Sequence, residues 1–280
     1  MKITDKYIKS PLNYVGGKYK LLSQIIPRFP QKISTFVDLF GGGFNVGVNV
    51  TAEHIIYNDI CKPVVELLDY IKAHDISELL TEIDTYINQY NLTKENREGF
   101  LTLRDDYNKG NKTPIKFYVL LCYAFNNQIR FNSKGDYNMP FGKDRSSFNP
   151  TLRQKFIDFV EVVHNKDCIF TNDSFNEFDF SDFDENDFVY CDPPYFSSVA
   201  TYNESGGWTE QNEQDLLNLL DELNEKGIRW ALSNNLKYDN PLLDKWKDKY
   251  NVHYLNGDYS NCNYHKKDKS ADIEVLITNY

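Results

Sequence analysis

A chain of 280 residues, 41% hydrophobic and 26% charged, has the make-up of a globular protein with one large domain or two smaller ones. Its net charge of −10 excludes an indiscriminate nucleic-acid binder, because phosphate neutralisation is the main source of non-specific affinity. No apolar run approaches the roughly 20 residues of a membrane crossing, and Met1 to Ser10 lacks the apolar stretch of a secretion signal, so a soluble, cytoplasmic protein with no membrane partner is expected.

In chain order, Asn13-Tyr14-Val15-Gly16-Gly17-Lys18 sets two glycines before a lysine, a loop in which backbone and cation can meet a carboxylate; a solvated lysine is the alternative. Thr35 to Phe40 reads as a short buried strand running into Gly41-Gly42-Gly43 and a turn toward a helix. A second strand, His54 to Tyr57, ends at Asn58-Asp59, about 20 residues on, the spacing at which an acid grips a ribose in dinucleotide folds. A helix cap is the other reading of Asp59.

Between Pro63 and His164 the strand signal fades into amphipathic patterns such as Ile76, Leu79, Leu80, Ile83 and Ile87, then the apolar run Phe117 to Phe125. Inside this stretch Ser133-Lys134-Gly135-Asp136 is flanked by short strand-like segments, predicting a β-hairpin over about 129–143. From Pro114 to Lys155 seven bases face two acids, a local basic surface in an acidic protein.

The strands resume with Cys168-Ile169-Phe170, followed by Asp173-Ser174, which can address an adenine ring or close a turn. Thr171 to Tyr190 carries seven acids and no base, the pattern of a solvated connection. Phe188 to Cys191, Ile228 to Leu232 and Ile273 to Thr278 complete the expected strands. One helix is well marked, with Thr209 as cap, a stripe of Leu216, Leu219, Leu220 and Leu223, and Gly227 as stop. The alternation predicts an α/β, Rossmann-like sheet formed by residues 1–62 and 164–280, with an inserted helical domain at 63–163.

Asp192-Pro193-Pro194-Tyr195 follows the fourth strand and gathers an acceptor, two prolines that fix the turn and remove donors, and a flat ring, a set suited to an exocyclic amine on a planar base. A rigid aromatic-capped turn is the bland alternative. The glycine loop lacks the Lys-Ser/Thr ending of a phosphate cradle, which favours a ligand of nucleoside plus amino acid, S-adenosylmethionine. Five scattered cysteines and five histidines show no metal-ligand spacing, and no Gly-x-Ser-x-Gly elbow is present, so no metal and no hydrolytic nucleophile are expected.

Gly16-Gly17-Lys18, Phe36 to Gly43, Asn58-Asp59-Ile60, Arg130-Phe131-Asn132 through Pro140-Phe141-Gly142-Lys143, Asp192 to Tyr195, Tyr202-Asn203 and Leu216 to Asp221, in that order, resemble the Dam-type DNA adenine methyltransferases over nearly the whole chain, with the T-even phage enzymes as the nearest likeness. The resemblance implies that Tyr14, Lys18, Asp38, Phe40, Gly41, Asp59, Asp173 and Ser174 handle S-adenosylmethionine, leaving S-adenosylhomocysteine as product, and that Asp192, Pro193, Pro194 and Tyr195 hold the target adenine. Arg130 falls where the family reads a guanine, with Asn126, Gln128, Asn132, Lys134, Asn138, Lys143 and Arg145 on the same DNA-facing segment. An apolar side chain is common at the position of Gln128, which bears on the inner base.

The expected activity is transfer of a methyl group to the amine of an adenine flipped out of double-stranded DNA, in GATC, by a monomer that can pair on a palindrome. The alternatives are a methyltransferase acting on cytosine or glutamine amines, and a silent DNA-binding regulator.

Overall fold

The computed structural model describes residues 7–196, 207–256 and 273–280. The strands are β1 (Thr35–Asp38), β2 (His54–Asn58), β3 (Cys168–Thr171), β4 (Phe188–Cys191), β5 (Arg229–Asn235), β6 (Asn251–Leu255) and β7 (Glu274–Thr278). They form one sheet in the order β3-β2-β1-β4-β5-β7-β6, parallel from β3 to β5, with β7 antiparallel to both β5 and β6. The expected α/β architecture is present. β6 was not anticipated: it is an edge strand with little apolar alternation, and its Tyr254 is 66% exposed.

The strand order reverses beside β1. The chain moves outward through β2 and β3 and then returns to place β4 on the other side of β1, so the carboxyl ends of β1 and β4 bound a crevice of the kind that receives ligands in open α/β sheets. The register pairs Asp38 with both Tyr57 and Tyr190, which brings the residues after all three strands level.

β4 is buried at every position, as a central parallel strand covered on both faces must be. On one face Phe36, Tyr190 and Leu276 join a core that continues into α1 (Leu22–Ile25), α2 (Lys62–Ala73), α3 (Ile76–Gln89), α4 (Arg97–Asn108), α5 (Pro114–Tyr123) and α6 (Pro150–His164). On the other, Val37, Val189, Trp230 and Val275 meet the leucines of α7 (Glu210–Glu225) and Leu243 and Trp246 of α8 (Pro241–Trp246). α7 starts as its sequence predicts, with the Thr209 hydroxyl accepting from Asn212 N at 3.1 Å, and Gly227 follows it at φ +76°.

The helices of 63–163 share one continuous apolar cluster with the sheet. α5 is apolar on nearly all sides because it lies at the middle of this cluster, where Lys116 survives by placing its ammonium 2.6 Å from Asp106. The hairpin is a minimal one: a single antiparallel bridge joins Phe131 to Tyr137, Asn138 N donates to Arg130 O at 3.2 Å, and a second bridge joins Ala124 to Phe141.

Among the described residues no helix is long and apolar enough to cross a membrane, and no group of three His, Cys, Asp or Glu side chains is arranged to hold a metal ion.

Candidate active site

The glycine loop is shaped by its neighbours. A Cβ on Gly41 would stand 2.2 Å from the ring of Tyr57, which is fully buried, and Gly42 adopts φ +48° beneath the ring of Tyr14. The Tyr57 hydroxyl donates to Gly42 O at 2.8 Å, and Gly42 N donates to Asp59 Oδ2 at 2.8 Å. Asp59 Oδ1 accepts from Cys61 N at 2.8 Å at the start of α2. Asp59 is not the cap of α2, since Cys61 holds that position; its carboxylate ties the turn before the helix to the glycine loop, and each oxygen keeps a further lone pair. The side chain is 7% exposed, and burial pushes its carboxyl above the usual range.

Asn58, a motif residue whose role its local sequence does not reveal, ties the loops together. Its amide donates to Leu39 O and Asp173 O, while its oxygen accepts from Asp173 N at 2.9 Å and from the Thr171 hydroxyl at 2.9 Å. The loops after β1, β2 and β3 are thus locked together, and Asp173 and Ser174 are brought to the same rim. Phe40, Phe175 and Trp208 form an aromatic wall beside them, with ring centroids 5.4 to 5.7 Å apart. Asp38, buried at the end of β1, accepts from Gly47 N at 3.0 Å; burial first, then the nearby Asp192 and Asp59 charges, push its carboxyl up to about 7.

Asp192 lies one residue past β4, level with this loop. Lys18 Nζ sits 2.7 Å from Asp192 Oδ1 and 2.8 Å from Oδ2, and also donates to Gly16 O at 2.8 Å. The Lys18 side chain is 2% exposed and that of Asp192 18%. The carboxylate that sequence reasoning sought for Lys18 is thus supplied by the protein itself. Burial raises the Asp192 carboxyl, and Lys18 opposes that rise. The lysine ammonium also lies 5.1 Å from the Tyr195 ring centroid, and the Tyr195 hydroxyl donates to Glu274 Oε2 at 3.0 Å. Glu274 was missed although it is the one acid in an apolar strand, because only sheet pairing shows which residue it meets.

The hairpin residues divide. Arg130 is braced by its neighbour, with Nε 2.7 Å from Asn138 Oδ1 and an Nη donating to Asn138 O at 3.0 Å. Asn132 folds the turn: its oxygen accepts from Lys134 N and Asp136 N, both at 2.9 Å. Lys134, Lys143 and Arg145 are exposed, and Arg145 reaches Asn126 Oδ1 at 3.2 Å while lying over the exposed Phe125 ring. Asn126 and Asn127 both take positive φ, and the Asn127 amide closes α5 by donating to Leu121 O and Cys122 O. Asn13 pairs with Gln128 and donates to Asn126 O at 2.6 Å, which joins the first loop to the hairpin.

The basic surface is narrower than the sequence count implies. Lys116 is buried on Asp106, Arg153 is paired bidentately with Asp84 at 2.7 and 2.8 Å, and Lys155 is largely buried, its amine pushed down to about 8. Four of the seven bases, Arg130, Lys134, Lys143 and Arg145, remain on the hairpin segment. The acidic connection behaves as expected, with Asp179 and Asp184 in turns, but Asp187 is buried and accepts from Thr35 N at 2.9 Å. Tyr202 and Asn203, and the fifth cysteine, Cys262, lie outside the described residues.

Residues 14–261 match the family described as D12 class N6 adenine-specific DNA methyltransferase. The chain is 50% identical over 284 residues to the type II methyltransferase M.FokI of Planomicrobium okeanokoites, covering 99% of this chain and 44% of that protein. It is 44% identical to the modification methylase StsI of Streptococcus sanguinis, again over 99% of this chain and 44% of the relative. Identity to the DNA adenine methylase of Escherichia coli K12 is 26%, over 87% of this chain and 86% of the relative. The chain spans less than half the length of the first two relatives. The Dam-type likeness is borne out, and these similar proteins are bacterial, one named a type II methyltransferase and one a modification methylase.

Proposed function

The chain belongs to the D12 class of N6 adenine-specific DNA methyltransferases, and on that premise we propose that it methylates the exocyclic amine of an adenine flipped out of duplex DNA. The observation that carries this reading is the register of β2, β1 and β4, which sets Asp59, the glycine loop and Asp192 side by side along one edge of the sheet. S-adenosylmethionine, when bound, supplies a sulfonium methyl group. The residues present suit it: a loop kept free of side chains by Tyr57 and Tyr14, a buried carboxylate with lone pairs to spare for ribose hydroxyls, and the Phe40 ring beside them.

In this reading Asp59 grips the ribose, Asp173 and Ser174 address the adenine ring of the cofactor, and Tyr14, Asp38, Phe40 and Gly41 shape its bed. Lys18 holds Asp192 ionised in a buried setting. Asp192 and the Pro193 carbonyl accept the two amine hydrogens of the target base, which draws its lone pair out of conjugation, while Pro194 fixes the turn and Tyr195 receives the ring. Asp192 then stabilises the positive charge that develops on the amine, and the surplus amine proton leaves afterwards to solvent or through a relay, so no strong base is required.

Residues 63–163 serve as the recognition unit, with Arg130 gripping guanine O6 and N7, a contact worth about 1–3 kcal/mol of discrimination. Lys134, Lys143 and Arg145 meet phosphates, and Asn126 and Gln128 face bases. Asn132 and Asn138 act through the shape of the hairpin, since both are engaged within it.

Methylation of a random DNA library by the purified chain, followed by mapping of the modified bases, tests reaction, substrate and sequence together, with GATC as the first site to score. Modified adenine is expected, and Asp192→Ala should keep DNA affinity while losing transfer. Methyl groups on cytosine or on protein alone would refute the proposal.

A further inference from the structure

Glu274 opens β7 and is 3% exposed, the one charged residue in a strand that continues Val275-Leu276-Ile277-Thr278. A buried carboxylate is costly unless it is fully bonded, so a position flanked by apolar residues calls for a reason. Both of its oxygens are engaged: Oε1 accepts from Asn235 Nδ2 at 2.9 Å, and Oε2 accepts from the Tyr195 hydroxyl at 3.0 Å. Strand pairing explains the reach, because β7 lies antiparallel to β5 and opens beside Asn235, at the edge where the parallel strands end. Burial raises the Glu274 carboxyl, while the Lys18 charge and the bonds from Asn235 and Tyr195 oppose the rise.

A tyrosine ring attached to a turn can swing about two torsions, and fixing its hydroxyl removes most of that freedom. The Tyr195 ring is held at both ends, by its backbone in the proline turn and at its tip by Glu274, with Asp192 as a second hydrogen-bond partner of the same side chain. The Lys18 ammonium lies 5.1 Å from its centroid, and the Tyr238 ring lies 6.2 Å away. We propose that Glu274 is a positioning residue that clamps Tyr195 through its hydroxyl and so fixes the plane on which the target base lies. This rests on the function proposed above. Asn235 shares the carboxylate and steadies it, while Glu274 itself touches neither base nor cofactor.

The test is a double-mutant cycle in the full chain with Glu274→Met, which keeps volume without an acceptor, Glu274→Gln, which keeps an acceptor oxygen, and Tyr195→Phe, which removes the donor. Glu274→Met should lower kcat about 10-fold or more with KM for S-adenosylmethionine changed by less than about 3-fold, and Glu274→Gln should restore most of the loss. In the Tyr195→Phe background Glu274→Met should add less than about 2-fold, since the bond it breaks is already gone. Independent, multiplicative losses would overturn the clamp and leave Glu274 a purely structural residue. Should Glu274→Met fail to fold, Tyr195→Phe alone decides, because wild-type kcat in that variant also overturns it. A second readout needs no turnover: the ring signals of labelled Tyr195, assigned with Tyr195→Phe, should broaden or shift in Glu274→Met. A chain that methylates no DNA but shows this ring response would refute the function and keep the clamp.

Discussion

Lys18→Met tests the electrostatic core of the site. The ammonium is 2.7 Å from one Asp192 oxygen and 2.8 Å from the other, which at an effective dielectric near 20 corresponds to about 6 kcal/mol of attraction. Asp192 retains 18% exposure, so water recovers part of this, and removal of one partner from a buried pair typically costs about 3–5 kcal/mol. At about 1.36 kcal/mol per unit, the Asp192 carboxyl should move up by about 2–4 units from its wild-type value. That value is already raised by burial. A carboxyl raised in the fold contributes its stability below its unfolded pKa of about 3.9 and loses it as pH climbs through the folded value. The variant's deficit should therefore be small near pH 4 and grow toward about 3–5 kcal/mol at alkaline pH, with proton uptake by Asp192 limiting the loss between. Urea unfolding at several pH values measures the deficit, and the acid limb of the methyl-transfer rate should move up by the same interval. A deficit independent of pH, together with an unmoved acid limb, would show that Lys18 does not govern the ionisation of Asp192.

Asp38→Asn keeps an acceptor for Gly47 N but cannot ionise. The wild-type carboxyl, raised to about 7, contributes stability at acid pH that is lost as pH rises from about 4, its unfolded value, to about 7, so the variant should gain relative to wild type across that interval, by up to about 4 kcal/mol, and level off above it; a pH-independent difference in urea midpoint contradicts this. Gly41→Ala should lose about 1–3 kcal/mol and weaken S-adenosylmethionine binding by calorimetry, since its Cβ would stand 2.2 Å from the Tyr57 ring, and pairing it with Tyr57→Leu should return part of the loss. Asn138→Ala removes the side-chain acceptor of Arg130 Nε but keeps the backbone oxygen bonded to its Nη, and should relax discrimination at the guanine part of the way toward that of Arg130→Ala, with the double variant no worse than Arg130→Ala alone. Competition between matched and mismatched DNA sites measures it, and full discrimination in Asn138→Ala rules the brace out.

Much of the site is legible in local sequence because its parts are local devices. A four-residue apolar run, a glycine triplet, a Thr209 cap with Asn212 three residues on, and an Asp-Pro-Pro-Tyr turn each report their own backbone through period, φ preference and missing donors. The same locality explains what was misjudged. Seven bases read as one surface because a count along the chain does not see that Asp106 and Asp84 neutralise Lys116 and Arg153 from other helices. β6 escaped because an edge strand with one wet face carries a weak apolar period.

Residue chemistry, element type and the order of motifs were thus set by the amino-acid sequence itself. Tertiary structure decided who meets whom: Lys18 reaches Asp192 across 174 positions, Tyr195 reaches Glu274 across 79, and β1 takes its place between β2 and β4. The physical reason is that strand pairing and burial act between segments far apart in the chain, where no short pattern reports the partner, and only the closed sheet brings their charges within a few ångströms.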